Sequence, residues 1–312
     1  MIVNEIYRYL GGDLVTADDK TIETALRSFR VSLVRNLTKK PESQNRRGVS
    51  ASSPWYCQRR ILYEVRDTER VPFAPRSRLA FLMGDTVEAF GIFLTRLAGV
   101  QILTPSLDGK QESVEADFDG RKVPGHIDMT VWDGGGAVIP VDWKSMADYG
   151  FKEFEQATRD PSAKWWTEER WGYLTQLRVY MKAKGSPYGV FVGVNKNTGH
   201  MAEMHVPPDP SWEVEMSGRV AAVAETIASG ALPERPSWAT VSLKAGLNER
   251  ADGSKGAVEE IDHFRCGYCP FVKTCWTGFD LVPLKSAPKW RKAVEAEART
   301  AAQAPTARKV VA

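Results

Sequence analysis

The sequence predicts an α/β core, a mixed central sheet flanked by helices. Three observations carry that expectation. Residues 123–132 and 138–144 alternate polar and apolar side chains on either side of Asp133-Gly134-Gly135-Gly136, the pattern of two strands joined by a tight turn. Stretches near 78–98, 163–184 and 210–229 carry helical apolar spacing. Further strand patterns near 112–118, 188–194 and 200–206 are interleaved with those helices, which places helices against a sheet.

Taken in order, residues 19–37 have the apolar spacing of a helix. Residues 39–55, from Lys39-Lys40-Pro41 to Ser53-Pro54, are polar and contain Gly, Ser and Pro, and they read as a mobile linker. A short helix is expected over 57–64 and a largely apolar one over 78–98. Strands are expected near 112–118, 123–132, 137–144, 188–194 and 200–206. One long helix over 163–184 interrupts them, and another runs over 210–229. Residues 231–262, with Pro233, Pro236, Gly246, Gly253 and Gly256, read mostly as loop. A compact cysteine segment follows at 266–276. From residue 287 onward the Ala/Lys/Arg/Glu-rich end reads as a frayed helix and tail. The expected organisation is an N-terminal helical segment and basic linker (1–56), a core (57–280) and a C-terminal helix or tail (281–312).

At 312 residues, 43% hydrophobic and 26% charged, the chain has the composition of a soluble globular protein. No apolar run approaches membrane-span length, and Met1-Ile2-Val3-Asn4-Glu5 does not open a signal peptide, so a cytoplasmic protein with no membrane partner is expected. Net charge is only +3, but residues 35–78 hold 11 Lys/Arg against 4 Asp/Glu, a local excess suited to a polyanion. There is no Gly-x4-Gly-Lys-Ser/Thr phosphate loop, so ATP-driven unwinding is not expected.

The chemistry concentrates in the hairpin. If positions 133 and 137 pair across the three glycines, Asp128 lies opposite Asp142, with Cβ atoms roughly 5 Å apart. Asp142 and Lys144, two apart on one strand, share a face. Two carboxylates so placed repel, and one is pushed up in pKa unless a divalent cation lies between them. Hard oxygen ligands favour Mg²⁺ or Mn²⁺. Glu88 lies in a helix among Val87, Ala89, Phe90, Ile92 and Phe93, where a carboxylate is costly unless paired or metal-bound. Gly84, one turn earlier, lets another backbone approach closely. Gln176 and Tyr180, at i and i+4, share a helix face beside the stripe of Leu174, Leu177 and Met181, from which they can reach a phosphate or orient the lysine. His126 reads as a strand residue near the site. Trp165, Trp166 and Trp171 read mainly as packing, and one of them can stack on a single-stranded base.

Four cysteines remain: Cys57, and Cys266, Cys269 and Cys275 in a Cys-x2-Cys-x5-Cys run. Four thiolates can bind Zn²⁺ or a [4Fe–4S] cluster. Structural zinc more usually uses two paired Cys-x-x-Cys units, so three clustered cysteines with one remote favour the iron–sulfur cluster, while spacing leaves zinc open. Closing so long a loop would clasp the N-terminal segment to the C-terminal one.

Together these motifs resemble the PD-(D/E)XK nuclease superfamily, and within it the RecB-like branch with a cysteine-clasped iron–sulfur cluster, as in the Cas4-like nucleases and the AddB nuclease domain. The resemblance covers roughly residues 52–280. Gly125-His126-Ile127-Asp128 resembles the family's Gly-x-x-Asp motif, Val141-Asp142-Trp143-Lys144 its Asp-x-Lys motif, and Gln176-Leu177-Arg178-Val179-Tyr180 its Gln-x3-Tyr helix. Gly84-Asp85-Thr86-Val87-Glu88 resembles its first-helix motif, with Glu88 where many members carry His. The resemblance implies a restriction-endonuclease-like core and a metal-dependent DNA exonuclease. Glu88, Asp128, Asp142 and the Trp143 carbonyl would hold Mg²⁺ or Mn²⁺, Lys144, Gln176 and Tyr180 would complete the catalytic set, and Cys57, Cys266, Cys269 and Cys275 would hold the cluster. The implied partner is single-stranded DNA or duplex ends, in recombination, repair or phage or CRISPR DNA processing. A homo-oligomer, or recombination or CRISPR proteins, are the implied protein partners. The alternative is a non-catalytic DNA-binding iron–sulfur protein with the same fold. The presence of Asp128, Asp142 and Lys144 together favours the enzyme.

Overall fold

A computed structural model describes residues 2–13, 17–38, 49–53, 56–73, 75–104, 111–167, 172–249, 255–282 and 289–293. The chain forms two compact units. One comprises Met1–Val65 with Ala74–Leu232, the other Arg66–Phe73 with Pro233–Ala312.

The first unit contains helices α1 (Ile2–Gly11), α2 (Asp19–Thr38), α3 (Gln58–Val65) and α4 (Pro75–Leu97). Strands β1 (Ile102–Thr104), β2 (Glu112–Phe118), β3 (Arg121–Ile127), β4 (Met129–Trp132) and β5 (Val138–Met146) follow. Helices α5 (Asp148–Ala157), α6 (Lys164–Thr167) and α7 (Tyr173–Lys184), strands β6 (Gly189–Asn195) and β7 (Met201–Val206), and helix α8 (Pro210–Ser229) complete it. The main sheet has the order β1-β4-β5-β6-β7, and β2 pairs with β3 in a separate two-stranded sheet. The β5–β6 pair is parallel and the other ladders of the main sheet are antiparallel, so the sheet is mixed, with α5–α7 forming the crossover.

Strand β5 explains why this sheet needs cover on both faces. Ile139, Val141 and Trp143 join an apolar cluster with Ile2, Ile6, Ile92 and Leu94 from α1 and α4. Phe191 of β6 joins the opposite cluster, with Phe154, Leu177, Tyr180 and Trp212 from α5, α7 and α8. A strand buried on both faces reads as a continuous apolar run. Asp142 and Lys144 interrupt that run. Helix α4 approaches β5 closely at Gly91, where a Cβ would lie 2.5 Å from ring carbons of Trp143. Helix α8 begins at Asp209, whose carboxylate accepts from the Ser211 and Trp212 amides, with proline at the first helical position.

The second unit contains strands β8 (Val241–Glu249) and β9 (Lys255–Ile261), helices α9 (Phe264–Gly267) and α10 (Val272–Cys275), and strands β10 (Asp280–Val282) and β11 (Lys289–Ala293). Its sheet has the order β10-β11-β9-β8. Cys266, Cys269 and Cys275 pack against its small core of Ile261, Val272, Trp276, Phe279 and Trp290.

Several expectations need correction. Residues 231–262 are not mostly loop: β8 and β9 form an antiparallel hairpin whose charged and glycine positions mask the strand pattern. The segment after 287 opens with a strand, because Trp290 is buried and Lys289 and Arg291 both pair with Glu260, at 3.0 and 2.7 Å; residues 294–312 lie outside those described. The single helix over 163–184 is two helices, and Gly172 at φ 76° precedes the second. Helices α1 and α5 are present where no helix was expected. Of the expected linker, 39–48, 54 and 55 lie outside the described residues, and with them Lys39, Lys40, Arg46 and Arg47 of the basic segment, while Ala51 and Ser53 are buried. Among the described residues no helix is long and apolar enough to cross a membrane.

Candidate active site

The glycine turn closes as its sequence requires. The Asp133 amide donates to the Ala137 carbonyl at 3.2 Å, and Asp133 Oδ1 accepts from the Gly135 and Ala137 amides at 2.8 and 2.9 Å. Gly134 and Gly136 take positive φ, 80° and 106°. These backbone donors hold the Asp133 carboxyl below the usual carboxylate range. Behind the turn the ladder runs Trp132↔Val138, Val131↔Ile139, Thr130↔Pro140 and Met129↔Val141. Asp128 stands one step beyond the last pair, across from Asp142. It does so in a bend, because the strand expected over 123–132 is two strands, with β3 turning away to pair with β2.

The bend gathers the acids. Asp142 is 1% exposed and Asp128 9%. Trp143 donates its amide to Asp128 Oδ2 at 3.4 Å. Gln111 donates from one nitrogen to both Glu88 Oε1 and Asp128 Oδ1, at 3.1 and 3.0 Å. Glu88 comes from α4, so one amide ties the helix to the sheet. Burial, the Asp85 charge and the Asp142 charge push the Glu88 carboxyl up to about 7. Burial first, then Glu88 and Asp142, hold Asp128 well above the usual range. Burial and the Asp142 charge act on both carboxyls in the same direction.

Lys144 is the compensating charge. Its ammonium lies 2.5 Å from Asp142 Oδ2, 4.5 Å from the centre of the Tyr173 ring and 3.5 Å from Gln176 Oε1. Burial alone would depress it, but the charges of Asp142 and Asp128 more than reverse that and hold it above the ordinary lysine range, so it is protonated at any working pH. Gln176 Nε2 donates to the Tyr180 hydroxyl at 2.8 Å. Tyr180 is 2% exposed and its ring lies over Gly125, where a Cβ would come within 2.6 Å. The structure therefore brings Glu88, Asp128, Asp142, Lys144, Gln176 and Tyr180 into one connected set. Trp143 contributes its amide, and its indole joins the cluster of Ile92 and Leu94.

Gln111 and Tyr173 were not singled out in the sequence. Gln111 gives no signal by type or spacing. Tyr173 had one usable cue, its place one turn before Gln176 on the same helix. His126 is exposed on β3, and Trp165 packs edge-on against Phe154 and Phe191 at 5.4 and 5.2 Å. Trp171 lies outside the described residues.

Among the described residues, no three His, Cys, Asp or Glu side chains already converge as a ready cation cage. The oxygens are turned to Gln111, the Trp143 amide and Lys144 instead. The donor set still fits a hard divalent cation. Both Asp142 oxygens are buried and neither makes a well-directed hydrogen bond. The Glu88 and Asp128 carboxyls are both pushed up by burial and by the Asp142 charge. All-oxygen ligation suits Mg²⁺ or Mn²⁺ rather than a softer metal. The four cysteines are half-buried; Cys57 belongs to the first unit and the triplet to the second.

No protein-family model matches this sequence, and no curated protein matches it. Among solved structures the chain is similar to SSO0001, at 15% identity and a TM-score of 0.41, over 80% of this chain and 94% of that one. It is also similar to an alkaline exonuclease, LHK-Exo from Laribacter hongkongensis, at 13% identity and a TM-score of 0.38, over 64% of this chain and 87% of that one. The same exonuclease in complex with dAMP gives 14% and 0.38, over 66% and 91%. These likenesses are slight.

Proposed function

We propose that the protein is a Mg²⁺- or Mn²⁺-dependent deoxyribonuclease that hydrolyses phosphodiester bonds, acting as an exonuclease on single strands or duplex ends. One observation carries the reading: Asp142 is buried beside Lys144, with Asp128 and Glu88 electrostatically coupled to it. Burying one ion costs several kcal/mol by order of magnitude, so three acids and a lysine in one place need a chemical reason. The motif resemblance to PD-(D/E)XK nucleases supports the same reading, through Gly125 to Asp128 and Val141 to Lys144.

Glu88, Asp128, Asp142 and the Trp143 carbonyl would hold the cation. When bound, it supplies a water of lowered pKa and neutralises charge on the scissile phosphate. Lys144, permanently protonated, places a positive charge where the phosphorane's negative charge develops. Tyr173 and Gln176 restrict where that ammonium can go, from the ring face and from the amide oxygen. Tyr180 fixes the Gln176 amide through its hydroxyl, so that the oxygen faces Lys144. Basic residues of the 35–78 segment would hold the strand through its phosphates. From their spacing, Cys57, Cys266, Cys269 and Cys275 would hold a [4Fe–4S] cluster with a structural role.

The test is incubation of purified protein with end-labelled single- and double-stranded DNA in Mn²⁺ or in EDTA. Shortening of the labelled strand in Mn²⁺ alone is expected. Intact DNA under both conditions would dismiss the reading.

A further inference from the structure

We propose that Gln111 is a positioning residue for the cation site, setting the spacing of Glu88 and Asp128 before any cation arrives; this rests on the nuclease reading above. The β2–β3 ladder ends at Glu112↔Ile127, so Gln111 stands one step further, across from Asp128. Its neighbour is held through the side chain, since the Glu112 carboxylate accepts from Lys184 Nζ at 2.7 Å and from Thr104 Oγ1 at 3.2 Å. From that point a single primary amide spends its two hydrogens on two different carboxylates, Asp128 at 3.0 Å and Glu88 at 3.1 Å.

The choice of an amide matters. A lysine or arginine here would also draw the two acids together, but its charge would oppose a divalent cation. An amide adds no net charge, and it engages one oxygen of each carboxylate. Glu88 and Asp128 sit on separate elements, helix α4 and the bend between β3 and β4, and Gln111 hydrogen-bonds both. Without Gln111 the two carboxyl groups would be free to splay apart, and binding a cation would have to bring them back. Hydrogen-bond partners of metal-ligating groups are commonly worth 10–100-fold in metal affinity or activity.

The experiment is calorimetric titration of Mn²⁺ into the full chain, wild type beside Gln111→Met, which keeps the length without the donor, and Gln111→Asn, which keeps the amide but falls short of both acids. Each variant should bind Mn²⁺ roughly 10–100-fold more weakly. The Mn²⁺ concentration for half-maximal DNA cleavage should shift by the same factor, with the rate at saturating Mn²⁺ within a few-fold of wild type. A purely structural role would lower the melting temperature and the rate together and leave the Mn²⁺ dependence in place, which overturns the proposal. Equal or tighter Mn²⁺ binding in the variants overturns it too. If Gln111→Met does not fold, Gln111→Asn decides. A wild-type protein that neither binds Mn²⁺ nor cuts DNA removes the nuclease reading and this one with it. A wild type that does both, with unaltered variants, removes this one alone.

Discussion

Lys144→Met isolates the central electrostatic fact of the site. The substitution keeps an unbranched stem and deletes the charge that lies 2.5 Å from Asp142 and 4.5 Å from the centre of the Tyr173 ring. Asp142 is 1% exposed and both its oxygens lack a well-directed hydrogen bond, so among the described residues no donor stands in for the ammonium. Removing one partner of a buried ion pair typically costs about 3–5 kcal/mol, because a charge is left uncompensated. In a domain of this size each kcal/mol moves the melting temperature by about 2–4 °C, so a fall of roughly 10 °C is expected in EDTA. The double variant Asp142→Asn with Lys144→Met removes both charges and should recover most of that loss. Their coupling is then read as the non-additivity of a double-mutant cycle, followed by circular dichroism melts of all four proteins. Additive effects, or a Lys144→Met melt within about 2 °C of wild type, would refute the description of the pair as buried and mutually dependent.

Three further outcomes follow from other parts of the molecule. Glu88 is raised in the folded state from 4.5 to about 7, so its favourable contribution is complete below pH 4.5 and is lost as pH rises through 7; metal-free wild type should lose stability over that window, and Glu88→Gln, followed by urea unfolding at pH 5 and pH 8, should lose less. Gly91→Ala would set a methyl 2.5 Å from the Trp143 ring and should destabilise by about 1–3 kcal/mol, whereas an unchanged melt would mean that α4 shifts freely over β5. If the cysteines hold a [4Fe–4S] cluster, anaerobically purified protein should be brown with iron and acid-labile sulfide, and Cys57→Ser should lose colour and resist proteolysis poorly; one tightly bound zinc in colourless protein would replace the cluster with a zinc clasp.

Much of the site was legible because its geometry is local. The glycines 134–136 set the turn, the turn set the register, and the register put Asp128 across from Asp142. The period of two put Lys144 on the face of Asp142, and the helical period put Gln176 beside Tyr180. The bend at Asp128 was not legible, because the polar–apolar alternation continues through it without a break while the partner strand changes from β5 to β2. Gln111 was hidden for the same reason: its importance comes from a ladder between strands, and a lone glutamine before a strand has no pattern of its own. The C-terminal sheet was missed because charged and glycine positions break the alternation of β8 and β9, and because β11 is held on β9 by ion pairs such as Arg291 with Glu260. The break before α7 rests on one glycine in a left-handed conformation, which a continuous apolar stripe conceals.

The most direct measurement of the central claim compares wild type with Asp142→Asn on one end-labelled DNA in Mn²⁺, reading cleavage on a gel and binding by anisotropy in the same samples. Asparagine keeps the shape and removes the buried charge that the site is built around. The account predicts cleavage reduced by at least 10²-fold, on the order of the loss of a direct transition-state stabiliser, with DNA affinity within a few-fold of wild type, since phosphate contacts elsewhere dominate binding. Cleavage by Asp142→Asn at the wild-type rate would contradict it.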